Sequence, residues 1–417
     1  MNMVKQIYAS LEISEREVRI LVGEYFNTRF NIIKLAKVPC EGVANFKIID
    51  KEKVKTAIKE CVNEVEDKIG TKLEKVILII PSDKFRRVPL KISVVPSDTG
   101  FCNDDVVRAL NKTLDVDVEE NLLVINRLPI KYTINGISSR RMPENEVCDE
   151  VLVDVDLLCA EKKTAYDYVS VVETCGIQVL DICLNTYAIC KEAVLIEQSL
   201  NSNIVLLDIN NSYTGLSLIS KGKLLSTEIM NSGIGNFVQA LYSSYQLPYK
   251  TLSRLIKYNG SVDEKSDDII FAYSDNDVNI DITLNQLNSL IRNPVKKYIR
   301  EIVTMSRPII DSGQTQFVIV GDGADMNMLY EELKKQTKCD VKVYHPDTLG
   351  VRESGLIGLF GSFFVMKEIA NLRNMKVACV DLKEFDKVVD REKADLEGES
   401  LTSKIKSLFK QNTNKGE

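Results

Sequence analysis

The sequence predicts an α/β fold built from two related halves, and three observations carry that prediction. Each half opens on a β-meander whose first strand ends beside a carboxylate, Glu12 in one and Asp208 in the other. Each meander is followed by helical periodicity and later by a buried strand, at residues 76–80 and 317–320. The 417 residues, 44% hydrophobic and 27% charged, suffice for more than one core in a globular protein.

In the first half, residues 7–13 and 18–22 form a hairpin around Ser14-Glu15-Arg16, and residues 30–36 supply a third strand. Asp50 opens a helix in which Val54, Ala57, Ile58, Cys61, Val62, Val65 and Ile69 recur at three- and four-residue spacing; Gly70 is its stop. After residue 83 the pattern changes. Residues 84–160 read as a unit of their own: a strand at 87–95, a helix opened by Asn103-Asp104-Asp105 and strands at 122–126 and 130–134. An Asn135-Gly136 turn and an alternating strand at 151–155 complete it. Residues 161–199 return to the first half through a helix, a strand at 177–183 and another helix.

The second half begins at residues 200–230. Its first strand runs into Asp208, turns through Asn210-Asn211-Ser212-Tyr213 and returns from Thr214, before a third strand at 224–230. Residues 231–312 form another unit, with a helical pattern from Ile234 and a helix at 251–258. A polar strand region at 269–282 and a long helix from Leu284, interrupted by Pro294, follow. Residues 313–351 return to the second half. An apolar helix at 352–370, with Gly355, Gly358 and Gly361, suits close packing at a hinge. Residues 371–399 read as a solvated linker and 400–417 as an amphipathic tail.

Several function classes are opposed by composition. The net charge of −6 disfavours bulk attraction to nucleic acid. Neither a signal peptide nor a spanning helix is expected. Ten cysteines without a Cys-x-x-Cys pair read as reduced thiols of a cytoplasmic protein. The single histidine, His345, precedes Pro346 and reads as loop packing; a zinc site has no second histidine to draw on.

These residues resemble the FtsA family of actin-like bacterial cell-division proteins, within the actin, Hsp70 and sugar-kinase fold. The family's first phosphate loop usually reads Asp-Ile-Gly-Thr-Thr-Lys-Val, with Val-Gly-Glu soon after. Here the register gives Glu12-Ile13-Ser14-Glu15-Arg16-Glu17-Val18, then Val22-Gly23-Glu24. The second loop, usually Asp-Ile-Gly-Gly-Gly-Thr-Thr, is Asp208-Ile209-Asn210-Asn211-Ser212-Tyr213-Thr214. The adenosine turn is better kept, as Val320-Gly321-Asp322-Gly323-Ala324. The resemblance runs from residue 6 to 370 and implies an actin-like two-domain α/β fold with an inserted SHS2-type α+β subdomain at 84–160. Met142-Pro143-Glu144-Asn145 would be a remnant of that subdomain's Pro-x-Gly-Met segment.

The resemblance also places nucleotide phosphates between the two hairpin tips. Glu12, Ser14, Asp208, Asn210 and Asn211 would line that site, Gly321 and Gly323 would admit the adenosine of ATP, and Asp208 would hold a hydrated magnesium. The departures oppose it. Ser14 replaces a glycine, Glu15 a threonine and Glu17 a lysine. A carboxylate ~5 Å from a phosphate charge costs about 3 kcal/mol at an effective dielectric near 20. Asn210 and Asn211 tolerate left-handed turns in place of lost glycines, but Leu252-Ser253-Arg254-Leu255 offers no ribose-side glutamate. The loops therefore read as structural turns or as a weak ATP–magnesium site, and efficient hydrolysis is not expected.

A non-enzymatic role follows from the same resemblance: an adaptor that tethers FtsZ filaments to the cytoplasmic face of the bacterial membrane at the division site. Head-to-tail self-association into filaments is implied with it. The FtsZ C-terminal peptide would meet Arg292, Lys296, Lys297 and Arg300 on the long helix, for which a solvated face is the plain alternative. In the tail, Leu401, Ile405, Leu408 and Phe409 fall in a stripe ~100° wide on a helical wheel. Lys404, Lys406 and Lys410 lie outside it, a pattern suited to an anionic membrane surface. Two rivals stay open: an actin-like assembly platform for type IV pili, which would lack a terminal membrane helix, and a small-molecule kinase or ATPase of the superfamily.

Overall fold

The computed structural model describes residues 6–26, 28–97, 100–275 and 278–388. Strands β1 (Gln6–Ile13), β2 (Glu17–Phe26) and β3 (Arg29–Pro39) form the first meander. A small hairpin, β4 (Val43–Ala44) and β5 (Lys47–Ile48), leads into α1 (Lys51–Ile69). The Asp50 carboxylate accepts from the N–H groups of Glu52 and Lys53, and Gly70 ends the helix in the left-handed conformation. The face bearing Val54, Ala57, Ile58, Cys61, Val65 and Ile69 is buried, as the spacing predicts. β6 (Lys75–Ile80) then joins β1 in parallel.

The chain next builds β7 (Arg86–Val94), α2 (Asn103–Lys112), β8 (Leu122–Ile134), β9 (Ile137–Ser139) and β10 (Val151–Glu161). These give a four-stranded antiparallel sheet in the order β7-β10-β8-β9, with its own hydrophobic core. The two strands expected at 122–126 and 130–134 are one. β8 runs straight through Pro129, and shifts of register against β10 absorb Ile125 and Ile130. Asn135 and Gly136 make the β8–β9 turn at positive φ.

After α3 (Lys162–Glu173), β11 (Gln178–Leu184), α4 (Asn185–Glu192) and α5 (Leu195–Gln198), the plan repeats. β12 (Asn203–Ile209), β13 (Thr214–Ser220) and β14 (Lys223–Met230) form the second meander. They are followed by α6 (Gly235–Tyr245), α7 (Tyr249–Asn259), β15 (Ile269–Asp275), β16 (Val278–Thr283) and α8 (Leu284–Ser312). β17 (Thr315–Val320), α9 (Asn327–Thr337), β18 (Asp340–Val343) and α10 (Ile357–Leu372) complete the order. The two large sheets run β11-β6-β1-β2-β3 and β18-β17-β12-β13-β14. Each is a meander extended by two parallel strands, and the first strand of each meander sits at the centre. The carboxylate-bearing hairpins of the two sheets are thereby brought face to face.

Pro294 does not interrupt the long helix. α8 is continuous through Pro294 and Pro308, because Leu287, Ile291, Val295, Tyr298, Ile299 and Ile302 form a buried stripe. Their burial outweighs the ~3 kcal/mol that an interior proline costs. Within the described residues, Ser354–Leu372 is long and apolar enough to cross a membrane, but Leu359, Phe360, Phe363 and Met366 are buried in the first core. Gly361 is required there: a Cβ on it would overlap the carbonyl of Ala188 in α4.

Residues 371–388, expected to open a solvated linker, are folded onto the first half. Ile7 N donates to Val377 O (3.2 Å), Cys379 N to Ile7 O (3.0 Å), and the N–H groups of Glu74 and Lys75 share Cys379 O (2.9 and 3.1 Å). Residues 382–388 are helical, and Phe385 among them is buried. Apolar side chains at 377, 379, 380 and 385, spaced among charges, cover Leu73 and the end of α1. The charge pattern concealed them. Residues 389–417 lie outside the described part.

Candidate functional site

The hairpin register pairs Glu12 with Arg19 across β1 and β2. The Arg19 guanidinium donates to Glu12 Oε2 (3.2 Å), Glu17 Oε1 (2.5 Å) and Gly355 O (2.7 Å). It therefore ties the first hairpin to the segment that leads into α10. Ser14 is consumed by its own turn: its hydroxyl donates to Glu17 O (2.8 Å) and accepts from Glu17 N (3.2 Å).

Glu15 and Glu17, which the loop spelling reads as free charges opposing a phosphate, both have partners. Glu17 is paired with Arg19, and Glu15 bridges the cleft. Its carboxylate accepts from Asn45 N (2.9 Å) in the β4–β5 turn and from the Ser212 hydroxyl in the second hairpin tip. Beside it the ring of Phe46 meets Tyr213 edge-on at 4.5 Å, and the Arg16 guanidinium lies 4.6 Å from the centre of the Tyr249 ring. Tyr249 in turn donates to Asn211 Oδ1. Asn45 and Phe46 both have positive φ, 47° and 62°; for phenylalanine that is a strained conformation held by its surroundings.

Across the cleft, Asp208 Oδ2 accepts from Asn185 Nδ2 (3.3 Å) and Asn210 Nδ2 donates to Asp208 O (3.3 Å). Burial, with Glu12 next and Asp322 further contributing, pushes the Asp208 carboxyl up to about 7. Burial likewise raises Glu12 against the pull of Arg19, and raises Asp322. Gly321 serves the protein's own packing: a Cβ there would stand 2.6 Å from Ile209 O and 2.7 Å from Asp208 Oδ1. A Cβ on Gly323 would stand 2.5 Å from the Ile209 side chain. Both glycines are thus explained without an adenosine. On that side Lys257 pairs with Asp325 at 2.6 Å.

Glu12, Ser14, Asp208, Asn210 and Asn211 do line one space together, with Arg16, Arg19 and Asp322. It measures about 50 Å³, against ~300–1,000 Å³ for typical ligand pockets. Carboxylates stand where a polyphosphate would lie, and Arg19 stands among the groups that would hold magnesium. These residues do not fit ATP with magnesium.

The other expected site residues lie elsewhere. Arg292 is drawn into the protein, its Nε donating to Val262 O (2.8 Å), so it does not join a surface patch. Lys296 is half-buried, while Lys297 and Arg300 are exposed on α8. Leu401, Lys404, Ile405, Lys406, Leu408, Phe409 and Lys410 fall outside the described residues. Reading by loop motif missed Arg19, Phe46, Tyr213 and Tyr249. Arg19 had a signal only once Glu17 is counted into the turn: a two-sided count from Ser14–Glu17 sets it opposite Glu12. Phe46 and Tyr249 had none.

No protein-family model matches the chain. A structure titled PilM-PilN type IV pilus biogenesis complex superposes with a TM-score of 0.56 at 12% identity, covering 85% of this chain and 96% of that one. MreB 5 of Spiroplasma citri, bound to AMPPNP, does so at 0.53 and 12%, covering 88% and 98%. The chain has the actin-like ATPase fold. In sequence, cell division protein FtsA of Bacillus subtilis (strain 168) is 24% identical over 357 residues, 84% of this chain and 80% of that protein. FtsA of Staphylococcus epidermidis (strain RP62A) is 22% identical over 430 aligned positions, 100% of this chain and 90% of that protein. The likeness to FtsA proteins spans most of the chain at low identity.

Proposed function

We propose that this protein is a divergent FtsA-type adaptor that tethers FtsZ filaments to the cytoplasmic face of the membrane at the division site, without turning over ATP. The observation that carries this reading is the likeness to FtsA proteins over 84–100% of the chain. The non-enzymatic part draws on a cleft whose halves are joined by side chains: Glu15 to Ser212, Phe46 to Tyr213 and Arg16 to Tyr249. Filament binding is assigned to the exposed Lys297 and Arg300 of α8, with Lys296 beside them. Membrane attachment is assigned to residues 401–410 on the strength of their stripe and lysines. One short helix binds marginally, so self-association at the surface would raise the affinity.

A fluorescent fusion in dividing cells tests the whole reading. The expected result is a band at the septum that disperses when Leu408→Glu and Phe409→Glu are combined, with the purified variant no longer pelleting with anionic vesicles. A uniform distribution of the unmodified fusion would refute the division role. Vesicle binding that survives the double substitution would refute the tail as anchor.

A further inference from the structure

Outside the interdomain cleft, the second half holds a larger space, about 560 Å³, between the loop after α7, the start of α8 and α9. That falls within the ~300–1,000 Å³ of ligand sites. On its wall stands Glu332, which α9 places on the same buried face as Met328, Leu329 and Leu333. The residue is 4% exposed. Its Oε1 accepts from Gln336 Nε2 (2.5 Å), but no described residue donates to the buried Oε2. A buried carboxylate oxygen without a donor is costly to the fold, and a donor arriving from outside the chain would remove that cost.

Among the residues that line the space, the charges left without an ion pair are acidic. Lys335 is committed to Asp263 (2.7 Å) and Lys257 to Asp325 (2.6 Å), whereas Glu264 and Glu331 form no ion pair with any described residue. Tyr258, 69% exposed, lines the space with Met328, and the Lys257 ammonium lies 5.5 Å from the centre of its ring. An aromatic face and a thioether are surfaces along which the methylene stem of a long cationic side chain lies well.

We propose that this cavity receives the basic side chain of a partner peptide, an arginine or lysine whose cationic head pairs with Glu332 and whose stem lies along Met328 and Tyr258. The identification of the partner as a peptide rests on the adaptor reading; the chemistry of the pocket does not. It differs from the α8 surface, whose exposed Lys297 and Arg300 attract acidic groups. A linear segment meeting both would carry acidic and basic residues in sequence.

The test uses the full-length protein and the blocked dipeptide acetyl-leucyl-arginine amide, followed by ligand-observed NMR and calorimetry. Its citrulline analogue, of the same shape without charge, is the control. We expect the arginine probe to bind with a Kd of about 1 mM or tighter, and the citrulline probe ~10-fold more weakly. Glu332→Gln should weaken the arginine probe about 10-fold without lowering the thermal midpoint, since it removes an unpaired buried charge. If that variant is less stable, the exposed pair Glu264→Gln and Glu331→Gln replaces it, with an expected loss of ~3-fold. No binding of the arginine probe at about 10 mM, equal binding of the citrulline probe, or affinity indifferent to every substitution would overturn the proposal. Probe binding by a protein that never reaches the septum would leave the pocket standing and remove the adaptor reading instead.

Discussion

Asp208 shows what burial does to the single acidic residue that the second hairpin delivers to the cleft. Its carboxyl ionises near the ordinary 3.8 when the chain is unfolded and near 7 in the folded protein, because desolvation and then Glu12 oppose the charge. Between those values the native state binds more protons than the unfolded state, so stability falls as pH rises from about 4 to about 7 and is level beyond. Glu192, also raised to about 7 by burial, adds a loss of the same sign. Asp208→Asn removes only the first contribution. The variant should therefore gain on the native protein between pH 5 and pH 8 by about 2–3 kcal/mol, the part of the shift that falls within that window. Urea denaturation at both pH values measures this, and a difference that does not change with pH would mean that Asp208 ionises normally.

Among the elements, the stretch at 377–388 is the one whose role the pattern of charges hid. Val377, Cys379, Val380 and Phe385 are buried in the first core, where the stretch pairs with Ile7 of β1 and with Leu73. Each fully buried apolar side chain contributes about 1.5–3 kcal/mol. A protein ending at Val388 should keep the thermal midpoint of the full chain. Ending it at Lys376 should cost upwards of about 4 kcal/mol and uncover Leu73. Equal midpoints for the two truncations would show that the stretch adds nothing to the core. The same comparison separates anchor from fold: only the shorter truncation tests residues 401–410 without damaging the body.

At the scale of the molecule, the two sheets are closed on each other at the hairpin tips, between which the sequence resemblance places a nucleotide. The closure is made by pairs drawn from both halves: Glu15 with Ser212, Phe46 with Tyr213, Arg16 with Tyr249. We therefore expect no binding of ATP with magnesium at micromolar concentration by calorimetry. Restoring Ser14→Gly, Glu15→Thr and Glu17→Lys together should not by itself create a tight site, because Arg19 and the Phe46–Tyr213 contact remain. Adding Phe46→Ala and Tyr213→Ala should speed amide exchange at residues 43–48 and 210–213 about 10-fold or more, as the halves part. Micromolar ATP binding by the unmodified protein would contradict the closed cleft.

The sequence by itself determined the elements and their duplication. The 3.6-residue recurrence in α1, the alternation around Glu12 and Asp208, and the Asn135-Gly136 turn are local properties, legible because each residue's neighbours in sequence decide them. It also located Asp208, Asn210, Asn211 and Gly321 near one another, through motif order. What these groups do there was decided only in three dimensions. Ser14, Glu15 and Glu17 spell a repelling loop when read along the chain, yet their partners are backbone groups and side chains on both hairpins and at Asn45. Arg292 looks like part of a basic surface until Val262, 30 residues earlier in the chain, accepts its hydrogen bond. Pro294 marks a break unless the burial of its whole helix is weighed against it. Phe46 and Tyr213 carry no local signal at all. Pairings of this kind depend on which distant groups folding brings within about 5 Å, and no property of the neighbouring sequence encodes that distance.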